Sequence, residues 1–333
     1  MGRALHSAFS IFNFPLSILH SPLPILLCFL SFLPCWCQET LAQHRPTASE
    51  KKLELFCGAT LGYADTNWLR LYDVQINATP GFRWHPRHDW EVAAQVAIPV
   101  VSLGYTYRDI FYKYNRLNMA TVARQLHFND VNQHLRLTAG LFGNQRYGVD
   151  VRWAWPVNSW LLLNTRLGLT SFWVMGTDFS GKSEATFHSD YKLTGMIGAD
   201  VYLWPYNVEF RLSGGRYNAG DYGSQLDVMR HFRHFTLLAF AQLRIGELEA
   251  NPYDKKKYRT NGGFAIVWML PPYNHKKSSR NLVVRPASNF VLSHSSRAEG
   301  QPMQTYSIDP EENSRERLID VDWGLGKEVT PAN

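Results

Sequence analysis

Apolar and polar residues alternate one for one along most of this chain. In residues 234–245, Phe235, Leu237, Ala239, Ala241, Leu243 and Ile245 take one side, and His234, Thr236, Leu238, Phe240, Gln242 and Arg244 take the other. A period of two marks a strand with one apolar face. The same rule sets Val208, Phe210 and Leu212 against Glu209, Arg211 and Ser213. It also sets Leu53, Leu55, Cys57, Ala59 and Leu61 against Glu54, Gly58 and Thr60. Further strands are predicted over 72–79, 91–100, 134–141, 148–155, 161–170, 193–203 and 263–271. A weaker signal covers 121–128, and residues 281–297 predict one more strand or a pair. The second face of 263–271, with Ala265, Val267 and Met269, is unusually apolar.

Turn chemistry separates these runs. Pro80-Gly81 and the HPRHD run at 85–89 read as a loop, as do Gly143-Asn144-Gln145, residues 156–159 and Trp204-Pro205-Tyr206. Gly214, Gly215, Asn218, Gly220 and Gly223 break the pattern between two strands, and 177–190 and 248–261 read as long polar loops. The aromatic, basic stretch 105–118 fits a loop, an interfacial girdle or a short helix. The sum is an all-β chain: an antiparallel up-and-down transmembrane β-barrel of about 12 strands, within a range of roughly 10–14. In such barrels short turns face the periplasm and long loops the outside. The turns near Asn144, Pro156 and Pro205 count as short here, and 177–190 and 248–261 as long.

Composition agrees. Charged residues are 19% and aromatics 14%, with 11 tryptophans. Mean hydropathy is still -0.26. A barrel strand gives half its residues to lipid and half to a polar interior, so hydropathy stays middling while tyrosine and tryptophan rise. The net charge of +6 is spread along the chain and carries little weight. Residues 1–42 read as a signal peptide: Arg3 and His6 precede an apolar, proline-containing run, and Thr40-Leu41-Ala42 fits cleavage before Gln43. Cleavage removes Cys28, Cys35 and Cys37 and leaves Cys57, so neither a disulfide nor a zinc site forms within one mature chain. Residues 43–50 form a short linker, 51–298 the barrel and 299–333 a polar, largely disordered tail. The expected place is the outer membrane of a Gram-negative bacterium, with outer-membrane lipid as partner.

The polar faces hold the candidate chemistry. Asp150, Arg152, Arg166, Asp200, Glu209, Arg211, Asp227 and Arg244 all stand opposite lipid-type residues and would meet inside a barrel. Two readings stand side by side: a polar path or binding surface for a charged or hydroxyl-rich ligand, and a plug of salt bridges that fills a narrow lumen. The RHFRH turn, with His231, His234, Arg230 and Arg233, has Ser224 and Asp227 nearby in sequence. Its location at a hairpin favours a basic turn meeting lipid headgroups over a catalytic set, and His85 and His88 read the same way. Trp68, Trp84, Trp90, Trp153, Trp155, Trp160, Trp173, Trp204 and Trp268 fall at strand ends, where aromatic girdles belong. The chain carries no phosphate loop, HExxH, GxSxG or dinucleotide fingerprint. No enzyme, cofactor, metal or nucleic-acid partner is expected.

Three stretches carry a family likeness: GLFGNQRYGVDVRW (140–153), GGRYNAGDYGSQLDVMRHF (214–232) and NGGFAIVWMLP (261–271). In order and spacing, over about 115–271, they resemble the YjbH-like exopolysaccharide biosynthesis barrels. The resemblance implies a non-enzymatic outer-membrane barrel, a conduit or scaffold in exopolysaccharide secretion or surface assembly, with polysaccharide and periplasmic export proteins as partners. It brings no catalytic residues. A general diffusion porin and a lipid A-modifying barrel enzyme are the alternative readings.

Overall fold

In a computed structural model of the chain, the described residues are 53–64, 73–87, 89–103, 115–128, 131–158, 160–177, 183–218, 220–232, 235–245, 258–268, 282–286, 290–295 and 305–310. They form an up-and-down β-barrel. The predicted signal peptide, the 43–50 linker and most of the predicted tail lie outside the described residues.

The strands are β1 (Leu53–Ala64), β2 (Asp73–Arg87), β3 (Trp90–Leu103), β4 (Arg116–Phe128), β5 (Gln133–Phe142), β6 (Arg146–Pro156), β7 (Leu161–Thr177), β8 (Ser183–Phe187), β9 (Lys192–Leu203), β10 (Val208–Arg216), β11 (Tyr222–His231), β12 (Phe235–Ile245), β13 (Tyr258–Trp268), β14 (Leu282–Pro286) and β15 (Phe290–Ser295). Each pairs antiparallel with its sequence neighbour from β1 to β7 and from β9 to β13, and β7 pairs directly with β9. β15 adds antiparallel to β13, and with β14 and β15 counted as two pieces of one closing strand and β8 off the path, the barrel of 13 strands is nearly closed. An odd strand count puts the last strand parallel to the first. The closing pair obeys this: β14 runs parallel to β1, with Leu53 opposite Leu282.

The alternation seen in the sequence becomes inside and outside. Along β12, Leu238, Phe240, Gln242 and Arg244 are buried while Leu237, Leu243 and Ile245 are exposed. Ile98, Leu167, Leu193, Ile197, Phe210, Leu212 and Phe264 are exposed on other strands. Cys57 is a free thiol on the same outer face. The inner apolar face predicted near Ala265 is real: Met229, Leu238, Phe240 and Ala265 form a buried cluster, with Val291 of β15 packed on it.

Several predicted turns move. Pro80-Gly81 is no turn, because β2 runs through both to Arg87. The β2–β3 register has no pair at Pro80, so its missing N–H costs no ladder bond there. Gly81 faces inward, where a Cβ would crowd the Phe56 ring. The glycine break at 214–223 shrinks to residues 217–221, because Gly214 and Gly215 pair with Ser224 and Gly223 inside the ladder. Part of the 177–190 loop is β8, which extends the β7 hairpin by setting Phe187 opposite Trp173. β13 starts at Tyr258, inside the predicted 248–261 loop.

The ends of the barrel also sort differently. Successive turns of a meander lie at opposite ends, so the Gly143-Asn144-Gln145 turn cannot share an end with the turns after Pro156 and at Pro205. It lies with the connections 65–72, 104–115, 178–182 and 246–257, at the long-loop end. Asn144 and Gln145 both take φ of 58°, which lets the chain reverse so tightly. Trp84, Trp90, Trp153, Trp155, Trp160 and Trp268 stand at or near the other, short-turn end. Trp173, at the long-loop end, is buried. Exposed aromatics at the long-loop end include Phe172, Tyr191, Tyr222 and Tyr258.

The filled barrel interior as candidate functional site

All eight predicted lumen residues are buried, each at 6% exposure or less. They lie on six strands, β6, β7 and β9 to β12. On β9–β11, Arg211 stands in register with Asp200 on one side and Asp227 on the other. Its guanidinium lies 2.8 Å from Glu209 and 3.7 Å from Asp200. Glu209 also meets His231 Nε2 at 2.9 Å, and Gln225 donates to Asp227 at 2.6 Å. A second group lies next along the wall, on β6 and β7, with β7 paired to β9. There Asp150 accepts from Arg152 at 3.1 Å and from Arg166 at 2.7 Å. Arg244 lies on β12. It grips Asp221 of the β10–β11 turn at 2.5 Å, and its guanidinium lies 5.5 Å from the Tyr217 ring. The buried Tyr217 and Asp221 thus fold the GGRYNAGDYG turn inward.

A third ionic group was not predicted. Arg136 of β5 donates to Glu91 of β3 at 2.8 Å. Arg83 of β2 reaches Glu91 at 3.5 Å and Glu54 of β1 at 3.8 Å. Strand parity already put Glu91 and Arg136 on inner faces. Arg83 was hidden by reading Pro80-Gly81 as a chain reversal.

The main departure from the sequence reading is a segment that touches both the second and the third group. Residues 305–310 (Thr-Tyr-Ser-Ile-Asp-Pro) belong to the predicted disordered tail, yet they run into the barrel, with Tyr306 and Ile308 each 1% exposed. Asn144 Nδ2 donates to the Thr305 carbonyl at 2.8 Å, and Gly143 N donates to the Ser307 carbonyl at 2.9 Å, both at the long-loop end. Deeper down, the Tyr306 ring stacks on Phe142 with centroids 5.2 Å apart. The Arg166 guanidinium covers the ring at 4.1 Å, and the Tyr306 hydroxyl donates to Asp150 Oδ2 at 2.7 Å. Lower still, Asp309 accepts from Arg83 at 2.6 Å and stands 3.7 Å from Arg136, while Gln95 Nε2 donates to the Pro310 carbonyl at 3.2 Å. Burial pushes the Tyr306 phenol up from its ordinary value of 10.0, and the Asp150 carboxylate adds to that, so the hydroxyl stays protonated.

The barrel wall is cut to fit this segment. A Cβ added at Gly168 would collide with the Tyr306 hydroxyl, and one at Gly143 would collide with the Ser307 Oγ. Polarity gave no hint of the segment. A single buried turn of chain has no period to detect, and its anchors come from five different strands.

Near the RHFRH turn, Ser224 and His231 are on opposite faces of β11, with Ser224 outward and His231 inward, bound to Glu209. Arg230 is exposed and lies 5.3 Å from the Phe232 ring, which stacks on Phe235. Arg233 and His234 are outside the described residues. No group of three or more metal-type ligands occurs among the described residues. No family model matches the chain, and no curated protein matches it.

Proposed function

We propose that this protein is an outer-membrane β-barrel of a Gram-negative bacterium and acts without catalysis in exopolysaccharide secretion or surface assembly. The observation that carries the membrane reading is the outer face. Large apolar side chains such as Leu167 at 51%, Leu212 at 58% and Ile197 at 68% are exposed around the wall. A water-soluble barrel would bury or replace them. Their height also fits a bilayer. Ten strand steps separate Tyr258 from Trp268, and at a rise of roughly 3.3 Å and a tilt of about 40° they span about 25 Å, the apolar band of such barrels.

The polysaccharide role rests on the likeness of the three sequence stretches to the YjbH-like barrels. The filled lumen favours a scaffold, or a conduit closed at rest, over a general porin. Buried ion pairs and residues 305–310 occupy the cross-section that a diffusion pore keeps open. The test is deletion of the gene followed by analysis of surface polysaccharide. Reduced export or altered polymer length is expected, and unchanged export with unchanged length sinks the role. Heat-modifiable migration of the purified protein tests the barrel in a membrane-like environment independently.

A further inference from the structure

We infer that the wall beneath residues 305–310 is a binding site for an acidic saccharide chain, and that the segment is its built-in competitor. This deepens the polysaccharide reading above and rests on it.

The wall meets the segment through an apolar cluster of Phe142, Tyr306 and Ile308 and through the segment's oxygens. Asn144, Gly143, Arg166 and Gln95 donate to the carbonyls of Thr305, Ser307, Tyr306 and Pro310. Arg83 donates to the Asp309 carboxylate at 2.6 Å. One group asks for a donor: Asp150, which takes the Tyr306 hydroxyl. Between them, Phe142 offers a flat ring face. A chain that satisfies this wall has many acceptor oxygens, a ring with an apolar face, a free hydroxyl and a carboxylate one short step further on. A uronic-acid oligomer has all four. Its C–H face stacks on an aromatic ring, its ring and linkage oxygens accept, and its carboxylate matches an arginine fork.

Two further observations point to an occupant richer in polar groups than the segment. Arg136 Nε and Thr138 Oγ1, adjacent on the inner face of β5 and at least nine-tenths buried, have no hydrogen-bond partner among the described residues. A buried polar atom without a partner is costly, and a hydroxyl-rich chain would supply one. The charge balance agrees. Beside the segment, Arg83, Arg136, Arg152 and Arg166 face Glu54, Glu91, Asp150 and Asp309. Withdrawal of the segment takes the Asp309 carboxylate away from Arg83 and Arg136.

A resident competitor lowers apparent affinity by the fraction of time it holds the site. The experiment uses the full chain folded in detergent micelles, with a glucuronic acid hexamer and a glucose hexamer as probes, read by titration calorimetry. Tyr306→Ala with Asp309→Ala removes both anchors of the segment. This variant is expected to bind the uronate hexamer at least tenfold more tightly than the unmodified protein and to ignore the glucose hexamer. Adding Arg136→Gln should weaken that binding at least tenfold. Equal uronate affinity with and without the anchors overturns the proposal, as does equal affinity for the two hexamers. So does preference of the released variant for a synthetic 305–310 peptide over the uronate, which would make the wall a peptide site. Should the double variant fail to show heat-modifiable migration, Asp309→Ala alone opens the carboxylate position, with a several-fold gain expected and no gain overturning the proposal. Binding in micelles is independent of export in cells, so normal polysaccharide in a deletion strain removes the cellular role without touching this site, and absent binding removes the site without touching the role.

Discussion

The Tyr306 hydroxyl donates a hydrogen bond to Asp150 across 156 residues of sequence, inside the barrel. The bond joins the strand wall to a segment beyond the last described strand. Tyr306→Phe keeps the stack on Phe142 and loses the hydroxyl's hydrogen bonds, to Asp150 and with Thr194. The Asp150 acceptor is ionised and both groups are buried, so the expected loss is about 1.5–3 kcal/mol. Tyr306→Ala also opens a cavity and should cost more, about 3–5 kcal/mol. Both are read as a lower temperature of heat-modifiable unfolding in micelles. Equal melting of all three proteins would mean that the segment is not seated.

Gly168 tests the same contact from the wall. Gly168→Ala places a methyl group where the Tyr306 hydroxyl lies, so alanine should destabilise the barrel although it favours strands over glycine. The expected signature is coupling. In the Tyr306→Ala background the cost of Gly168→Ala should shrink by about 1 kcal/mol or more, because the colliding group is gone. Additive losses would place the cost in the strand backbone or at Thr194 instead.

How much of this was legible beforehand follows from the length scale of each signal. The meander was readable because every strand repeats one rule many times. Asp150, Arg152, Glu209 and Arg211 all fell inside by parity alone. Register was readable only where turns were unambiguous. Pro80 looked like a break because proline usually is one. Its place in β2 depends on a gap in the neighbouring ladder, which a single strand's sequence does not record. The seated segment had no local signal at all. Gly143 and Gly168 mark its path, but a glycine in a strand reads equally as a bulge or a weak point until the facing side chain is known. The family likeness concerned 140–153, 214–232 and 261–271, so it offered nothing about residue 306.

The Tyr306 phenol also sets a pH dependence. Its proton is held more tightly in the folded barrel than in the unfolded chain. The folded state therefore binds more protons above the ordinary tyrosine value of 10.0. Stability from this group is complete below about pH 10 and falls as the pH rises further, because the unfolded chain ionises first. The melting temperature of the unmodified protein should drop between pH 10 and 11.5, and Tyr306→Phe should drop less over the same range. Tyr217 is pushed the same way by its burial and leaves a residual slope in both proteins. Parallel curves would assign the whole effect to groups other than Tyr306.

Ile197 carries the test of the membrane itself. It lies mid-strand on the outer face of β9, is 68% exposed, and is paired with Thr165 of β7 and Gly214 of β10. In a barrel bathed by water, Ile197→Arg exchanges an exposed apolar side chain for a soluble one and should be neutral within about 0.5 kcal/mol. In a barrel bathed by lipid, the arginine sits near the middle of the apolar band and costs about 2–4 kcal/mol. Arg244 provides the contrast on the inner face, where a charge is met by Asp221 rather than by lipid. Folding into phosphatidylcholine vesicles, followed by urea titration, separates the cases. Ile197→Arg should shift the transition to distinctly lower urea, whereas Ile197→Leu should leave it unchanged. If arginine and leucine behave alike in vesicles, the outer face does not meet hydrocarbon. The apolar belt would then need a protein partner to cover it.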